Sequence, residues 1–271
     1  MLMPAAGDGY AAAAARYLAP YTSAFAAVGV TLTPRPWSDG AGDADATLAL
    51  LAWGYHHDVA RWDAVLAGWP AAMPLFNPPA LLRWNTRKTY LRELAERGVP
   101  IVPSRFGRAD AAAIADAFAS FACETLVVKP QVSAGSHLTR RIGRGDALAA
   151  MDDAIIQPFL PAIGEEGELS LLFIGGAFSH AVRKVAAPDD FRIQPQFGGR
   201  FTRFDPDPAT LALAERVMAA VPMPPLYARV DLIRLPDATL ALMELEAIEP
   251  DLYFDQAPEA AERLVAAVLA Q

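Results

Sequence analysis

The sequence predicts an α/β (α+β) protein, and three observations carry that prediction. Helical and strand patterns alternate over residues 1–78, as expected of a small open layer in which helices cover a sheet. The stretch "GELSLLFIGGAFSHAVRKV" at 167–185 has two β-rich arms around Gly175-Gly176, a favoured two-residue turn, and points to an antiparallel second half. Hydrophobic residues make up 54% of 271 positions and charged residues 20%. Such a chain can bury a sizeable core, which excludes wholesale disorder.

Taken in order, residues 10–28 read as a helix broken at Pro20, and "VTLTPRPW" at 30–37 as a strand leading into a loop. "ATLALLAW" at 46–53 has the continuous apolar character of a buried parallel strand. A helix over Asp58–Leu66 precedes a short strand at 73–79 that runs into prolines, a predicted domain boundary. Thr86–Arg97 reads as one helix closed by Gly98 and Pro100, with Lys88 in its first turn. Asp110 is placed to cap a helix through Phe121. "TLVVKP" at 125–130 and "AIIQPFL" at 154–160 read as strands, and 186–206 as a long irregular loop. A helix at 208–220, paired strands "LYARVDLIRL" and "TLALMELEAI" around Pro236-Asp237, and an amphipathic helix at 258–270 complete the chain.

Composition narrows the function. A formal charge of −8 argues against nucleic acid as a partner. No run approaches the roughly 18–20 apolar residues of a membrane span. The first basic residue, Arg16, follows the apolar start instead of preceding it, unlike a secretory signal. The expectation is a soluble cytoplasmic protein. The single Cys123 forbids an intramolecular disulfide and a cysteine-rich metal site.

Of the 23 basic residues only Lys88, Lys129 and Lys184 are lysine. An ammonium is a compact point charge suited to a phosphate oxygen, whereas arginine is a planar fork. Side chains alternate along a strand, so Glu244 and Glu246 share a face, and antiparallel pairing can bring Asp231 to them. Carboxylates that close resist joint ionisation unless a cation sits among them, and hard oxygen donors favour Mg²⁺ or Mn²⁺. Lys129 directly precedes "PQVSAGS", a small-residue stretch whose backbone N–H groups can approach a phosphate. Each part alone has an ordinary reading: surface lysines, an acidic edge strand, a turn.

Together and in this order, "NTRK" at 85–88, "VVKP" at 127–130, "SAGS" at 133–136, "IIQPFL" at 155–160, "GELSLLFIGG" at 167–176 and "MELEAIEP" at 243–250 resemble the ATP-grasp superfamily. The segment "RKVAAPDDFRIQPQFGG" at 183–199 is similar to the large loop of the ribosomal-protein glutamate ligase and glutathione synthetase branch. "NPPALLRWNTRKTYL", "YARVDLI" and "ELEAIEPDLYF" are similar to a cycloserine-ligase-like subgroup. The resemblance covers about residues 74–258. It implies an ATP-grasp fold: an N-terminal α/β substrate domain over 1–78, an ATP-grasp domain over 79–271 with a central lid at about 100–160, and a β-rich C-terminal subdomain. It implies that Lys88 and Lys129 contact ATP phosphates under a flap formed by Ser133, Ala134, Gly135 and Ser136. Gln157, Pro158, Phe159 and Leu160 would receive the adenine, Glu168 the ribose, and Lys184 the terminal phosphate. Asp231, Glu244 and Glu246 would bind two Mg²⁺ ions. Arg183, Arg192 and Arg229 would meet the substrate carboxylate and its acyl phosphate.

Two departures stand out: Glu246 occupies a position where many members carry Asn, and Glu249 adds a fourth acid. The opening "MLMPAAGDGY" is weak as a first strand. The implied function is an ATP-dependent ligase joining a small-molecule carboxylate to an amine. A phosphotransferase on the same scaffold and a non-catalytic ATP-binding protein are the alternatives. The resemblance also implies a homodimer as a partner state, since relatives often pair. Tyr55 or His56 is a candidate substrate contact, since ligands gather at the carboxyl ends of strands, against the plainer reading of a helix-start turn. Trp53, Trp62 and Trp69 read as packing residues, and Cys123 as buried.

Overall fold

Alternation of small apolar and polar residues gives 13 strands and eight α-helices among the described residues, which are 1–187, 193 and 198–271 of a computed structural model. The N-terminal elements are β1 (Leu2–Met3), α1 (Ala11–Ala26), β2 (Arg35–Pro36), β3 (Thr47–Leu48), α2 (Val59–Ala67) and β4 (Leu75–Phe76). β1 pairs in parallel with β2, and β3 with β4. The ladders are much shorter than the predicted strands. Pro34 and Pro36 donate no N–H, which confines the 30–37 strand to two residues. The 46–53 run leaves its strand after Leu48 and turns through Ala49–Ala52. Pro20 does not break α1; it lies on an exposed face, where the carbonyl it leaves unpaired is open to water. The weak opening segment does form β1, buried between its neighbours.

α3 (Pro79–Thr86) and α4 (Tyr90–Glu96) replace the single helix predicted over 86–97. The helical ladder is interrupted because the Lys88 N–H donates to the Gln131 carbonyl at 2.9 Å. Lys88 therefore sits in the joint between two helices, fixed against the loop that follows the 125–130 strand, and not in a first helical turn.

Two antiparallel sheets follow. β5 (Arg105–Ala109), β6 (Thr125–Pro130), β7 (Arg140–Gly143) and β8 (Met151–Pro158) form a four-stranded sheet in the order β5-β8-β6-β7. α5 (Ala111–Phe121), capped by Asp110 Oδ1 on the Ala113 N–H, packs Ile114, Ala117 and Phe118 against it. After the short α6 (Ala162–Glu165) come β9 (Glu168–Ile174), β10 (Ala177–Val185), β11 (Arg200–Phe204), β12 (Tyr227–Arg234) and β13 (Leu240–Glu246), in the order β11-β10-β9-β12-β13. β11 lies inside the stretch predicted as irregular. Its alternating Phe201 and Phe204 give it an apolar edge that β10 can use.

The five-stranded sheet is covered on both faces. α4 and α7 (Pro208–Ala220) cover Leu169, Leu171, Phe173, Val230 and Leu232, while α1 and α8 (Glu259–Leu269) cover Leu172, Ile174, Val182 and Tyr227. Along this second face the residue type changes halfway. Glu168 and Ser170 continue the row of Leu172 and Ile174, Lys184 that of Val182, and Arg229 and Asp231 that of Tyr227. One sheet face is thus half core and half polar site. Among the described residues no helix is long and apolar enough to cross a membrane.

Candidate active site

The polar half of that face and the four-stranded sheet line a cleft of about 170 Å³. It is lined by Lys88, Lys129, Ser133, Ala134, Gly135, Ser136, Gln157, Pro158, Phe159, Leu160, Glu168, Lys184, Arg229, Asp231, Glu244 and Glu246. Positions spread over more than half the chain meet there because both sheets present a strand end to it.

The register makes the acidic group. Asp231 lies opposite Glu244, and Arg229 opposite Glu246. A bulge between Asp231 and Leu232 resets the alternation of β13. Leu242 and Leu245 consequently both enter the core, while Met243, Glu244 and Glu246 all reach the cleft. Simple alternation placed the two glutamates together but gave no sign of Met243.

Each acid is held by a base. Lys184 Nζ contacts Glu168 Oε1 and lies 3.2 Å from Asp231 Oδ1, with all three side chains buried. Arg229 donates from Nε to Asp231 Oδ1 at 2.9 Å and from Nη2 to Oδ2 at 2.8 Å, and also contacts Glu246 Oε1. Ser170 donates to Asp231 Oδ1. Lys88 Nζ lies 2.9 Å from Glu244 Oε1 and donates to the Ser133 carbonyl at 2.8 Å. Burial pushes the Asp231 carboxyl up, but Arg229 and Lys184 outweigh it and hold the group below its ordinary range. Burial also dominates at Glu246, pushed up to about 7 despite Arg229, because Glu244 and Asp231 are close. Lys129 is lowered by burial, against the pull of Glu244.

Local backbone sets these positions. Gly167 has φ +87°, and a Cβ there would come within 2.4 Å of the Lys184 carbonyl. Only glycine lets the start of β9 pass so close to the strand that carries Lys184. Asn77 and Asn85 act as buried peptide mimics. Asn77 Nδ2 donates to the carbonyls of Tyr227 (2.9 Å) and Ala247 (2.8 Å), and its Oδ1 accepts from the Leu226 N–H (2.6 Å). Asn85 bridges the Leu245 carbonyl and the Ala247 N–H. Together they fix the ends of the strands that carry Arg229 and Glu246.

One expectation is overturned. Arg183 does not line the cleft. It neighbours Lys184 on β10, so alternation sends it to the opposite face, where its guanidinium stands 5.5 Å from the centre of the Phe204 ring. Arg192 lies outside the described residues. The Gln157 side chain is buried and donates to Ser104 Oγ at 2.8 Å, and the Phe159 N–H is taken by the Thr125 carbonyl. Sequence reading missed the apolar lining: Val127, Ile163, Ile233 and Met243 stand with Leu160 along one side of the cleft. Alternation along their strands carried a signal for Val127 and Ile233, indistinguishable from core until the sheets are placed, and none for Ile163 in α6 or Met243 on the bulge. Trp62 is fully buried and donates to Thr86 Oγ1, as a packing residue should. Cys123 is only half-buried.

Two antiparallel sheets closing on lysines and carboxylates define an ATP-grasp enzyme. No family model matches the chain. The cycloserine biosynthesis protein DcsG of Streptomyces lavendulae is 30% identical over 258 residues, 86% of each chain. The crystal structure of D-cycloserine synthetase DcsG superposes with a TM-score of 0.82 at 27% identity over 94% of each chain. The fold also matches D-alanine–D-alanine ligase of Bacillus anthracis, with a TM-score of 0.71 at 14% identity over 99% of this chain and 95% of that one. The chain belongs to the DcsG family of the ATP-grasp superfamily, and it is an ATP-dependent, ADP-forming carboxylate–amine ligase. ATP is its cofactor.

Proposed function

We propose that this ligase activates the carboxylate of a small amino-acid derivative and closes it onto a nitrogen of the same molecule. The D-cycloserine synthetase match over nearly the whole of both chains supports that substrate class. The observation that carries the site assignment is the meeting of all three lysines of the chain with Asp231, Glu244 and Glu246 in one cleft.

The described cleft is lined by four cations, Lys88, Lys129, Lys184 and Arg229, and four carboxylates, Glu168, Asp231, Glu244 and Glu246. Their charges cancel. A tetra-anionic triphosphate entering this balance calls for two divalent ions, the count we propose. The donors fit Mg²⁺: they are hard carboxylate oxygens, and Glu246, whose pKa is raised first by burial, also has Glu244 and Asp231 beside it. Asp231, Glu244 and Glu246 would hold the ions, with Mn²⁺ an acceptable substitute. Bound there, Mg²⁺ neutralises charge on the transferring phosphoryl group.

The side chains then divide the work. Lys88 and Lys129 hold the inner phosphates, and the 133–136 loop covers them with small residues. Leu160, Ile163, Ile233 and Met243 take the adenine, while Glu168 receives the ribose hydroxyls. Lys184 meets the terminal phosphate as the substrate carboxylate attacks the γ-phosphorus, releasing ADP and leaving an acyl phosphate. Arg229 orients that acyl phosphate while the nitrogen displaces inorganic phosphate to give the amide. Fixed charges aimed at the reacting oxygens lower the barrier without reorganising. Residues 1–78 choose the substrate, and a lid of about residues 100–160 excludes water from the acyl phosphate.

The test is an ADP-release screen of small amino acids that bear a second nitrogen, with D-cycloserine as a product standard. ADP, phosphate and a cyclic amide in equal amounts are expected. A stable phosphorylated product, or ADP formed only with a separate amine, refutes the proposal.

A further inference from the structure

His56, His57 and His137 come from two distant parts of the chain, and each brings a ring nitrogen within 4.8 Å of the others. His56 and His57 sit in a 3-10 turn, Tyr55–His57, of the N-terminal layer. His137 follows Ser136 in the small-residue loop after β6. The ring centres are 4.0 Å apart for His56 and His57, 4.9 Å for His57 and His137, and 5.4 Å for His56 and His137. His56 is 8% exposed, yet neither of its ring nitrogens has a hydrogen-bond partner. Both are the orphaned side-chain polar atoms of the described interior. A buried polar atom without a partner costs roughly 1–3 kcal/mol, so something outside the chain must satisfy it for the arrangement to be favourable.

We propose that these three histidines bind a divalent transition ion of the zinc class, and that the ion ties the small-residue loop to the N-terminal layer. Imidazole nitrogen suits Zn²⁺ and its neighbours, whereas Mg²⁺ takes oxygen, so this site and the carboxylate trio select different ions. Three histidines and one open position form a familiar zinc coordination. Tetrahedral geometry at Zn–N of about 2.0–2.1 Å needs the nitrogens about 3.4 Å apart. The exposed His57 and half-exposed His137 can rotate to meet that spacing around the fixed His56. Burial and the neighbouring imidazoles hold His56 at about 4, and burial lowers His137, so their lone pairs are free at neutral pH. The loop's Ser133 carbonyl already accepts from Lys88. An ion on His137 would hold the loop at a second point, over the phosphates assigned to it above; the binding claim itself does not depend on that assignment.

The experiment is calorimetric titration of tag-free protein with Zn²⁺ in excess Mg²⁺, for the wild type, His57→Ala, His137→Ala and Glu244→Gln, followed by hydrogen exchange of residues 133–138 with and without Zn²⁺. One ion per chain is expected in the wild type and in Glu244→Gln. Each histidine variant should lose at least the roughly 10–100-fold in affinity that removal of an outer-shell partner costs a metal site. Zn²⁺ should slow loop exchange in the wild type and in Glu244→Gln, and not in the histidine variants. Both histidines are outside the core, so their variants should fold. Unchanged affinity in either histidine variant, loss of binding in Glu244→Gln alone, or loop exchange indifferent to Zn²⁺ overturns the proposal.

Discussion

Replacing Lys184 with methionine tests the charge arrangement directly. Met keeps most of the buried stem and removes the ammonium that faces Glu168 and Asp231. Asp231 retains Arg229 and Ser170. Among the described residues Glu168 retains no ion-pair partner, with its side chain 8% exposed. Breaking a buried pair by removing one partner costs about 3–5 kcal/mol. Glu168 can escape part of this by taking a proton, because burial already pushes it up to about 7 with Lys184 present. Near pH 7 the loss should therefore fall at the low end, about 3 kcal/mol. Without Lys184 the folded pKa rises further above its unfolded value, so the folded state binds the extra proton and the variant weakens as pH rises from about 6 to 8. Urea unfolding at both ends of that range measures it. Adding Glu168→Gln should return part of the loss, since it removes the stranded charge. A loss under about 1 kcal/mol, or a double variant as unstable as the sum of its parts, would refute the reasoning. Nucleotide turnover should fall by about 10²–10³ in either case, the usual cost of one transition-state charge partner.

Three further outcomes are expected. Lys129→Ala and Glu244→Ala should each abolish ADP release while thermal unfolding stays cooperative; wild-type-like turnover in either contradicts the site assignment. Mg²⁺ affinity, measured by calorimetry with a non-hydrolysable ATP analogue, should rise from about pH 6 to 8, because Glu246, pushed up to about 7, must lose its proton to bind; a flat profile would show that Glu246 is not a ligand. Asn77→Ala should destabilise the fold by about 3–6 kcal/mol, as it strands three buried backbone groups at roughly 1–3 kcal/mol each with some relief from water, and urea unfolding reads it.

How much of this was legible follows from range. Gly175-Gly176, the Asp110 cap and the β12–β13 pair are specified by neighbours in sequence, and they appear as read. The lysine and carboxylate positions were legible because their residue types are chemically specific and their order matches one fold. What failed depends on contacts distant in sequence. The joint at Lys88 exists because Gln131, 43 residues away, takes its N–H. β11 exists because β10 offers an edge. Arg183 was misplaced for a simpler reason: its neighbour Lys184 is in the cleft, and β10 has no bulge at that point to turn both side chains to one face. The histidine trio was half visible. His56 is legible as a candidate contact by its place after a strand, but His137 lies in a loop that only the fold carries to it.

The lysines carry a stronger argument than their number suggests. A composition with 20 arginines and three lysines shows that arginine serves wherever a surface cation is needed. All three lysines are nonetheless buried, with exposures of 6% at Lys88, 9% at Lys129 and 2% at Lys184. An arginine at Lys184 would need room for a planar fork between Glu168, Asp231 and Arg229, where the ammonium already makes two contacts. Among the described residues the guanidinium that reaches the site's carboxylates, Arg229, lies along its own strand and grips both oxygens of Asp231 with its Nε–Nη2 edge. Lys184 adds its compact charge at Oδ1, which Arg229 Nε also reaches. The two cation types therefore share one carboxylate, and exchanging either for the other would crowd the space that the terminal phosphate must enter.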